Sequence, residues 1–176
     1  MQEKVIATRQ QFLDWDTAMR KAKPSSETSV EYREALYIFM DKVDRHIRKP
    51  ASEIFKLDEA TQLGIRAYND EIYKEGLAFA ECPPKVKGAP YNINPDKLDD
   101  WLKKSKEIEG RFEEVLGNQA KNDADFKEWC SKKIQLSIEK IELAKMPSLD
   151  SNSFFAIASV ICTELPSEDD DGKEIE

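Results

Sequence analysis

The sequence predicts an all-α protein, folded as a single-domain bundle of five to six helices. Three observations favour this class. Apolar residues recur every three or four positions through most of the 176-residue chain, which is the spacing of one helix face. Helix breakers are few before the middle of the chain. Apolar residues make up 40% of the chain, which is enough to form a core. We therefore predict one helical domain at 1–166.

Two helices are predicted in the N-terminal part of the chain. The first covers about 2–22 and ends before Pro24, because proline cannot continue a helix. The second covers roughly 28–48 and begins with Ser29 as its N-cap. Its apolar run at 36–40 faces every side of the helix, so we expect this helix to be the most enclosed one.

A third helix is predicted from Ser52 or Asp58 to about Ala80. It contains Gly64 and Gly76, and a glycine within a helix costs roughly 1 kcal/mol relative to alanine. Each of these glycines therefore indicates a kink or a close crossing with another helix.

The segment at 81–95 is predicted to be a loop, because it contains four prolines and one glycine. A fourth helix is predicted from Asp96 to a C-terminal cap at 117–118, and a fifth from Asp123 to the residue before Pro147. For 151–163 we favour a sixth helix over a strand, and we expect it to dock on the bundle rather than form an exposed apolar patch.

The formal net charge of −8 comes mainly from the C-terminal part of the chain. Residues 148–176 hold one lysine and eight acidic side chains, which leaves the preceding residues close to neutral. A nearly neutral body projects little long-range field, so the charge supports neither DNA mimicry nor a nucleic-acid partner. Because 167–176 consists of charged residues and little else, we predict a disordered acidic tail there.

The cysteines and the hydropathy indicate where the protein works. Cys82, Cys130 and Cys162 lie far apart and are odd in number, which argues against a disulfide framework and favours reduced thiols. No apolar run approaches the roughly 20 residues that span a bilayer, and the N-terminus has no stretch of signal-peptide type. We therefore expect a cytoplasmic protein with no membrane partner.

The single histidine, His46, excludes several classes of enzyme. Zinc proteases of the HExxH type need two histidines, and di-iron bundles need paired ExxH motifs. The six glycines never form a phosphate-binding loop. The sequence therefore predicts no catalytic residue, no cofactor and no metal site.

Pairs of acidic residues at helical spacing leave one enzymatic alternative open. All-α nucleotide pyrophosphohydrolases hold Mg²⁺ with ExxE and ExxD motifs that converge from two helices. In this sequence all four acids fall in line on the second predicted helix, which departs from that pattern. A carboxylate–metal enzyme acting on nucleotides stays an alternative, and a solvated helix face is the favoured interpretation. The four acids are Glu31, Glu34, Asp41 and Asp44.

Without a catalytic constellation, the surface is the main functional resource of this chain. We predict a non-catalytic protein-interaction module, such as a small cytoplasmic inhibitor, immunity protein, antitoxin or phage-type accessory factor. It would act by steric occlusion of a partner protein. The predicted contacts are Lys85, Lys87 and Tyr91 in the proline-rich loop, since prolines limit the entropy that the loop loses on binding. A stiff connector without a binding role is the alternative interpretation of this loop. A structural or chaperone-like homo-oligomer is a third functional class.

Overall fold

The computed structural model describes residues 2–22 and 28–163. Helices dominate these residues, which confirms the predicted all-α class, and a small two-stranded sheet accompanies them. The predicted acidic tail at 167–176 and the predicted helix breaker Pro24 lie outside the described residues. In chain order the elements are β1 (Gln2–Thr8), α1 (Arg9–Lys21), α2 (Val30–Val43), a π turn (Asp44–Arg48), α3 (Lys49–Ile54), α4 (Glu59–Gly76), a 3₁₀ turn (Leu77–Phe79), a second 3₁₀ turn (Pro95–Lys97), α5 (Leu98–Arg111), α6 (Glu113–Ser131), β2 (Lys133–Glu139), a third 3₁₀ turn (Leu143–Lys145) and α7 (Ser151–Ile161).

The chain divides into two compact units. The first comprises the described residues of Met1–Ile54 and Lys127–Glu176, and the second comprises Phe55–Phe126. The described part of each unit falls within the domain predicted at 1–166, and the boundaries of that domain stay a prediction.

In the first unit, a strand takes the place of the start of the first predicted helix. The prediction of a helix from residue 2 is therefore wrong for β1. Thr8 caps α1: its hydroxyl accepts a hydrogen bond from the amide of Gln11 at 3.1 Å, and the Gln11 side chain accepts one from the Thr8 amide at 2.9 Å. This capping box sets the start of the helix. The residues before Thr8 pair with β2 in antiparallel fashion, with Val5 opposite Leu136.

β2 likewise corrects the fifth predicted helix, which ends at Ser131 instead of continuing to Pro147. Residues four apart share a face in a strand as well as in a helix, so Ile134 and Ile138 fit both periods. Leu136 lies between them and points to the same face of the sheet. Leu136 and Ile138 are both buried, at 6% and 0% exposure. The period-two pattern therefore describes this segment better than the helical one.

The second predicted helix is longer than expected, because the chain stays helical through Pro50. Proline lacks an N–H, and its ring crowds the carbonyl four residues earlier in an α-helix. The π turn immediately before it widens the backbone there, and the amide of Lys49 donates to the carbonyl of Asp44. The apolar run at 36–40 is not buried on every side, because Tyr37 is 72% exposed. That this helix is the most enclosed one stays a prediction.

The core of the first unit lies between α1, α2, β2 and α7, which pack on one another in pairs. The helical interpretation of 151–163 is confirmed by α7, and its docking is confirmed by the complete burial of Ile157 and Ile161. Phe155 faces outward instead, at 66% exposure. The largest fully buried side chains of this core are Tyr32, Phe12, Phe39, Ile47, Ile138, Ile157, Ile161, Val43 and Val160.

The second unit is an antiparallel hairpin of α4 against α5 and the first part of α6. Asp58 begins α4, because its carboxylate accepts a hydrogen bond from the amide of Thr61 at 2.8 Å. Of the two predicted starting points, Asp58 is thus the right one. The close crossing predicted at Gly64 is confirmed, since a Cβ there would lie 2.6 Å from Cγ2 of Val115.

The return arm of this hairpin bends earlier than predicted. The expected cap at 117–118 is wrong: α5 ends at Arg111, and α6 runs through 117–118 without a break. Phe112 provides the bend, with φ −112° and ψ 17°, and its ring meets that of Tyr68 edge-on at 5.7 Å between centroids. The bend therefore coincides with an aromatic contact between the two arms.

Candidate functional site

The proline-rich loop folds back on the C-terminal end of α4, and its base is closed by backbone hydrogen bonds. The amide of Glu81 donates to the carbonyl of Asn92 at 2.8 Å, and the amide of Asn94 donates to the carbonyl of Phe79 at 2.9 Å. These bonds hold the two ends of the loop side by side.

Two tyrosines fasten the middle of the loop to α4. The hydroxyl of Tyr73 accepts a hydrogen bond from the amide of Gly88 at 2.9 Å and donates one to the carbonyl of Ala89 at 3.2 Å. The hydroxyl of Tyr91 donates to the backbone carbonyl of Tyr73 at 2.9 Å. Burial raises the pKa of the Tyr91 hydroxyl, with a smaller effect from Tyr73, so this group stays protonated and able to donate. These hydrogen bonds attach the middle of the loop to α4.

Two glycines make this arrangement possible. Gly88 has φ +84°, a left-handed conformation that other residues adopt only with strain. Its amide can therefore turn toward Tyr73. At Gly76 a Cβ would lie 2.1 Å from the hydroxyl oxygen of Tyr91, so only a glycine leaves room for that side chain. The sequence predicts a kink or a close crossing with another helix at Gly76. The nearest contact comes instead from Tyr91 of the loop, and Trp101 of α5 lies next to it at 3.2 Å from the Cβ position.

Between α4 and the loop lies a groove of about 740 Å³, which we call the loop groove. One wall is a stripe of α4 in which residues are spaced by three and four positions, as on one helix face. The other wall is the loop. The lining residues are Asn69, Asp70, Tyr73, Lys74 and Leu77 on the helical side, and Pro83, Pro84, Lys87 and Gly88 on the loop side.

Three charged side chains line the loop groove. Among the described residues, Asp70, Lys74 and Lys87 form no ion pair with one another or with other side chains. Lys74 and Lys87 stand on opposite walls, and Asp70 lies one helical turn before Lys74. Tyr73 and Leu77 on the helical wall and the two prolines on the loop wall give the groove a largely apolar lining.

The three predicted contact residues have three different surroundings. Lys87 lines the loop groove, Lys85 is exposed beside it, and Tyr91 is half-buried beneath the loop, where it acts as a fastener. Their role in binding a partner stays a prediction. Val86, between the two lysines, is 68% exposed. The helical wall was not predicted from the sequence, although the spacing of Asp70, Tyr73 and Lys74 marks one stripe of α4, which Leu77 continues in the 3₁₀ turn.

The acids of the enzymatic alternative are spread along α2 and its π turn. Glu31 pairs with Lys145 at 3.3 Å. Asp41 pairs with Arg45 at 2.9 Å, and Asp44 with Arg20 at 3.1 Å, while Glu34 is exposed. A hydrogen bond from the backbone, and then Lys145, hold the pKa of Glu31 below its ordinary value. Within residues 2–22 and 28–163, no three His, Cys, Asp or Glu side chains lie close enough to hold a metal ion together. Three of the four acids, Glu31, Asp41 and Asp44, therefore form ion pairs along α2 and its π turn.

Comparison with protein-family models, with curated proteins and with solved structures finds no match to this chain. Among the helices of the described residues, none combines the length and the hydropathy needed to cross a membrane.

Proposed function

We propose that this chain is a non-catalytic protein-interaction module whose loop groove receives a segment of a partner protein. The observation that carries the proposal is the fixed loop: hydrogen bonds from and to Tyr73 and Tyr91 hold it against α4 and leave an open groove of about 740 Å³ beside it. A surface that is ordered beforehand loses little conformational entropy on binding. The volume also falls within the range of about 300–1,000 Å³ that is typical of ligand sites.

The residue composition of the loop supports a protein partner. Val86 presents an apolar side chain at 68% exposure between Lys85 and Lys87, next to the groove. An apolar anchor surrounded by charged residues is the usual composition of a protein interface, in which a few apolar contacts are enclosed by a polar rim. Occupation of a partner's surface by this loop would block that surface sterically, as in a small inhibitor, immunity protein, antitoxin or phage-type accessory factor. The free thiols Cys82, Cys130 and Cys162 support a reducing, cytoplasmic setting for this activity.

The proposal can be tested by cross-linking in the native host. A photo-reactive residue replaces Val86 in one variant and Phe155 in a control variant, because these side chains have similar exposures of 68% and 66% but lie in different units. We expect one protein to be enriched at position 86 and not at position 155. Equal cross-linking at both positions, or none at position 86, would overturn the proposal. A cross-link to a second copy of the chain would replace it with the homo-oligomer alternative.

A second measurement uses the purified partner. Asn69→Trp places a large ring in the loop groove from an exposed position on α4, and Lys106→Trp places the same ring at an exposed position of α5 outside the groove. We expect Asn69→Trp to weaken binding at least about tenfold, and Lys106→Trp to leave it within about twofold. Unchanged affinity for the folded Asn69→Trp variant would remove the groove from the interface.

A further inference from the structure

The charged and the apolar side chains that line the loop groove indicate the chemistry of what it binds. We infer that the bound segment is an acidic peptide, with an apolar side chain next to one or more carboxylates. This inference rests on the proposed function, because it names the kind of segment that the same groove receives.

The apolar part of the segment follows from the apolar side chains that line the groove. The loop engages the Tyr73 hydroxyl, which accepts a hydrogen bond from the amide of Gly88 and donates one to the carbonyl of Ala89. The tyrosine therefore offers its ring, and Leu77 and Pro84 add further carbon surface. A polar side chain placed there would lose its water without gaining a hydrogen bond, which costs free energy, while an apolar one gains by burial.

The acidic part follows from the two lysines that line the groove, one on each wall. Lys74 comes from the helical wall and Lys87 from the loop wall, so a carboxylate between the walls meets a cation on each side. Neither lysine is engaged in an ion pair among the residues that the structure describes. Complementary charge of this kind increases the rate of association and selects against basic partners.

Asp70 gives the groove a negative charge next to the positive charge of Lys74, so the charge changes along the groove. This argues against a nucleic acid. Asp70 lines the groove one turn before Lys74, so a segment with evenly spaced phosphates would place one of them near a carboxylate. A peptide can avoid this, because it can carry its acidic residue at the lysine end and an uncharged residue at the Asp70 end. The observed charges therefore favour a peptide over a polyanion.

The inference is tested by selecting from a random peptide library on the full chain, with counter-selection on the Asn69→Trp variant. We expect enriched peptides to combine Asp or Glu with a neighbouring Leu, Ile, Phe or Trp. Enrichment of groove-dependent peptides without acidic residues would overturn the inference while leaving the proposed function intact. If no peptide distinguishes the native chain from Asn69→Trp, the groove is not a peptide site and both ideas fail.

Charge reversal then tests the two lysines directly. We expect Lys87→Glu to weaken the binding of an enriched peptide at least about tenfold. When the acidic residues of that peptide are replaced by lysine, we expect it to bind the Lys87→Glu variant more tightly than the native chain. Lys85→Glu is the matched control, since Lys85 is exposed nearby but does not line the groove, and we expect a change below about threefold. Equal effects of the two reversals would overturn the assigned contact. Tighter Lys87-dependent binding of single-stranded DNA than of the peptide would overturn it in favour of a nucleic acid.

Discussion

The hydroxyl of Tyr91 donates a hydrogen bond to the backbone carbonyl of Tyr73 at 2.9 Å, and the two rings meet edge-on with centroids 5.3 Å apart. Through this pair the far end of the proline-rich loop is attached to α4. The attachment depends on Gly76, because the Tyr91 hydroxyl occupies the space where any other residue has its Cβ. The absence of a side chain at Gly76 thus allows Tyr91 to hold the loop on α4.

The first prediction concerns this glycine. Gly76→Ala displaces the Tyr91 hydroxyl and removes its hydrogen bond, so we expect a loss of about 1–3 kcal/mol in the free energy of unfolding. Gly117→Ala is the matched control, because Gly117 lies within α6 and a Cβ there would meet nothing within 4 Å beyond the backbone of its own helix. There alanine should stabilise by roughly 0.5–1 kcal/mol. Urea unfolding followed by circular dichroism measures both. A shift of the same sign for the two variants would contradict the assigned packing.

The second prediction contrasts two tyrosine hydroxyls. Tyr32 is only 1% exposed, and its hydroxyl has no hydrogen-bond partner among the described residues. Burial raises the pKa of this hydroxyl. Tyr32→Phe removes an unsatisfied polar group, so we expect the protein to gain about 1 kcal/mol of stability. Tyr73→Phe breaks two hydrogen bonds to the loop, and a loss of about 1–2 kcal/mol should follow. Urea midpoints that move in the same direction for both variants would refute this contrast.

Much of the helical fold could be predicted from spacing and caps, and the errors have a common physical origin. A residue pair four apart, such as Ile134 and Ile138, lies on one face of a helix and also on one side of a strand. Only pairing with β1 distinguishes the two cases, and that pairing joins residues more than a hundred positions apart. The start of α1 was within reach of the sequence, because Thr8 and Gln11 form a recognisable capping signature.

The candidate site was predictable in part for a similar reason. The composition of 81–95 correctly predicts a loop, and one of the three contact residues predicted within it, Lys87, lines the groove. The helical wall was not predicted, because the spacing of Tyr73 and Leu77 shows that they share a face but not what that face meets. The role of Tyr91 as a fastener depends on Gly76, and such a contact is visible only in three dimensions.

The third prediction concerns a buried carboxylate in the first unit. Asp16 is fully buried; its Oδ2 accepts hydrogen bonds from Nε of Arg20 at 2.8 Å and from Nη2 of Arg48 at 2.5 Å. The arginines are much more accessible, with side chains 40% and 42% exposed. Loss of an arginine therefore leaves a buried charge poorly paired, whereas loss of the aspartate leaves cations that water can reach.

We accordingly expect Arg48→Met to destabilise the protein by about 2–3 kcal/mol and Asp16→Leu by less than about 1 kcal/mol. Arg45→Met serves as the control, because Arg45 is 72% exposed and pairs with Asp41 at the surface, where such a pair contributes less than about 1 kcal/mol. Urea unfolding of the three variants gives the comparison. If Asp16→Leu lowered the free energy of unfolding more than Arg48→Met does, leaving the arginines without the aspartate would cost more than leaving the aspartate without an arginine, which would contradict this prediction.

The fourth prediction concerns the three thiols. Cys82 is exposed in the proline-rich loop, whereas Cys130 and Cys162 are 2% and 5% exposed. Burial raises the pKa of Cys130 and of Cys162, and the positive charge of Lys140 opposes this only in part at Cys162. Because the thiolate is the reactive form, both buried cysteines should resist alkylation at neutral pH.

We expect iodoacetamide to modify Cys82 alone in the native protein and all three cysteines in urea, as counted by mass spectrometry. Rapid native labelling of Cys130 or Cys162 would contradict their burial.

The raised pKa values also predict the sign of a pH effect. The folded state favours the neutral thiol, so this contribution to stability is complete below the ordinary thiol pKa and is lost as the pH rises through the folded value. We therefore expect the free energy of unfolding of the native chain to fall more between about pH 8 and pH 10 than that of the Cys162→Ala variant. An equal fall in the two proteins would show that ionisation of this thiol is not coupled to folding.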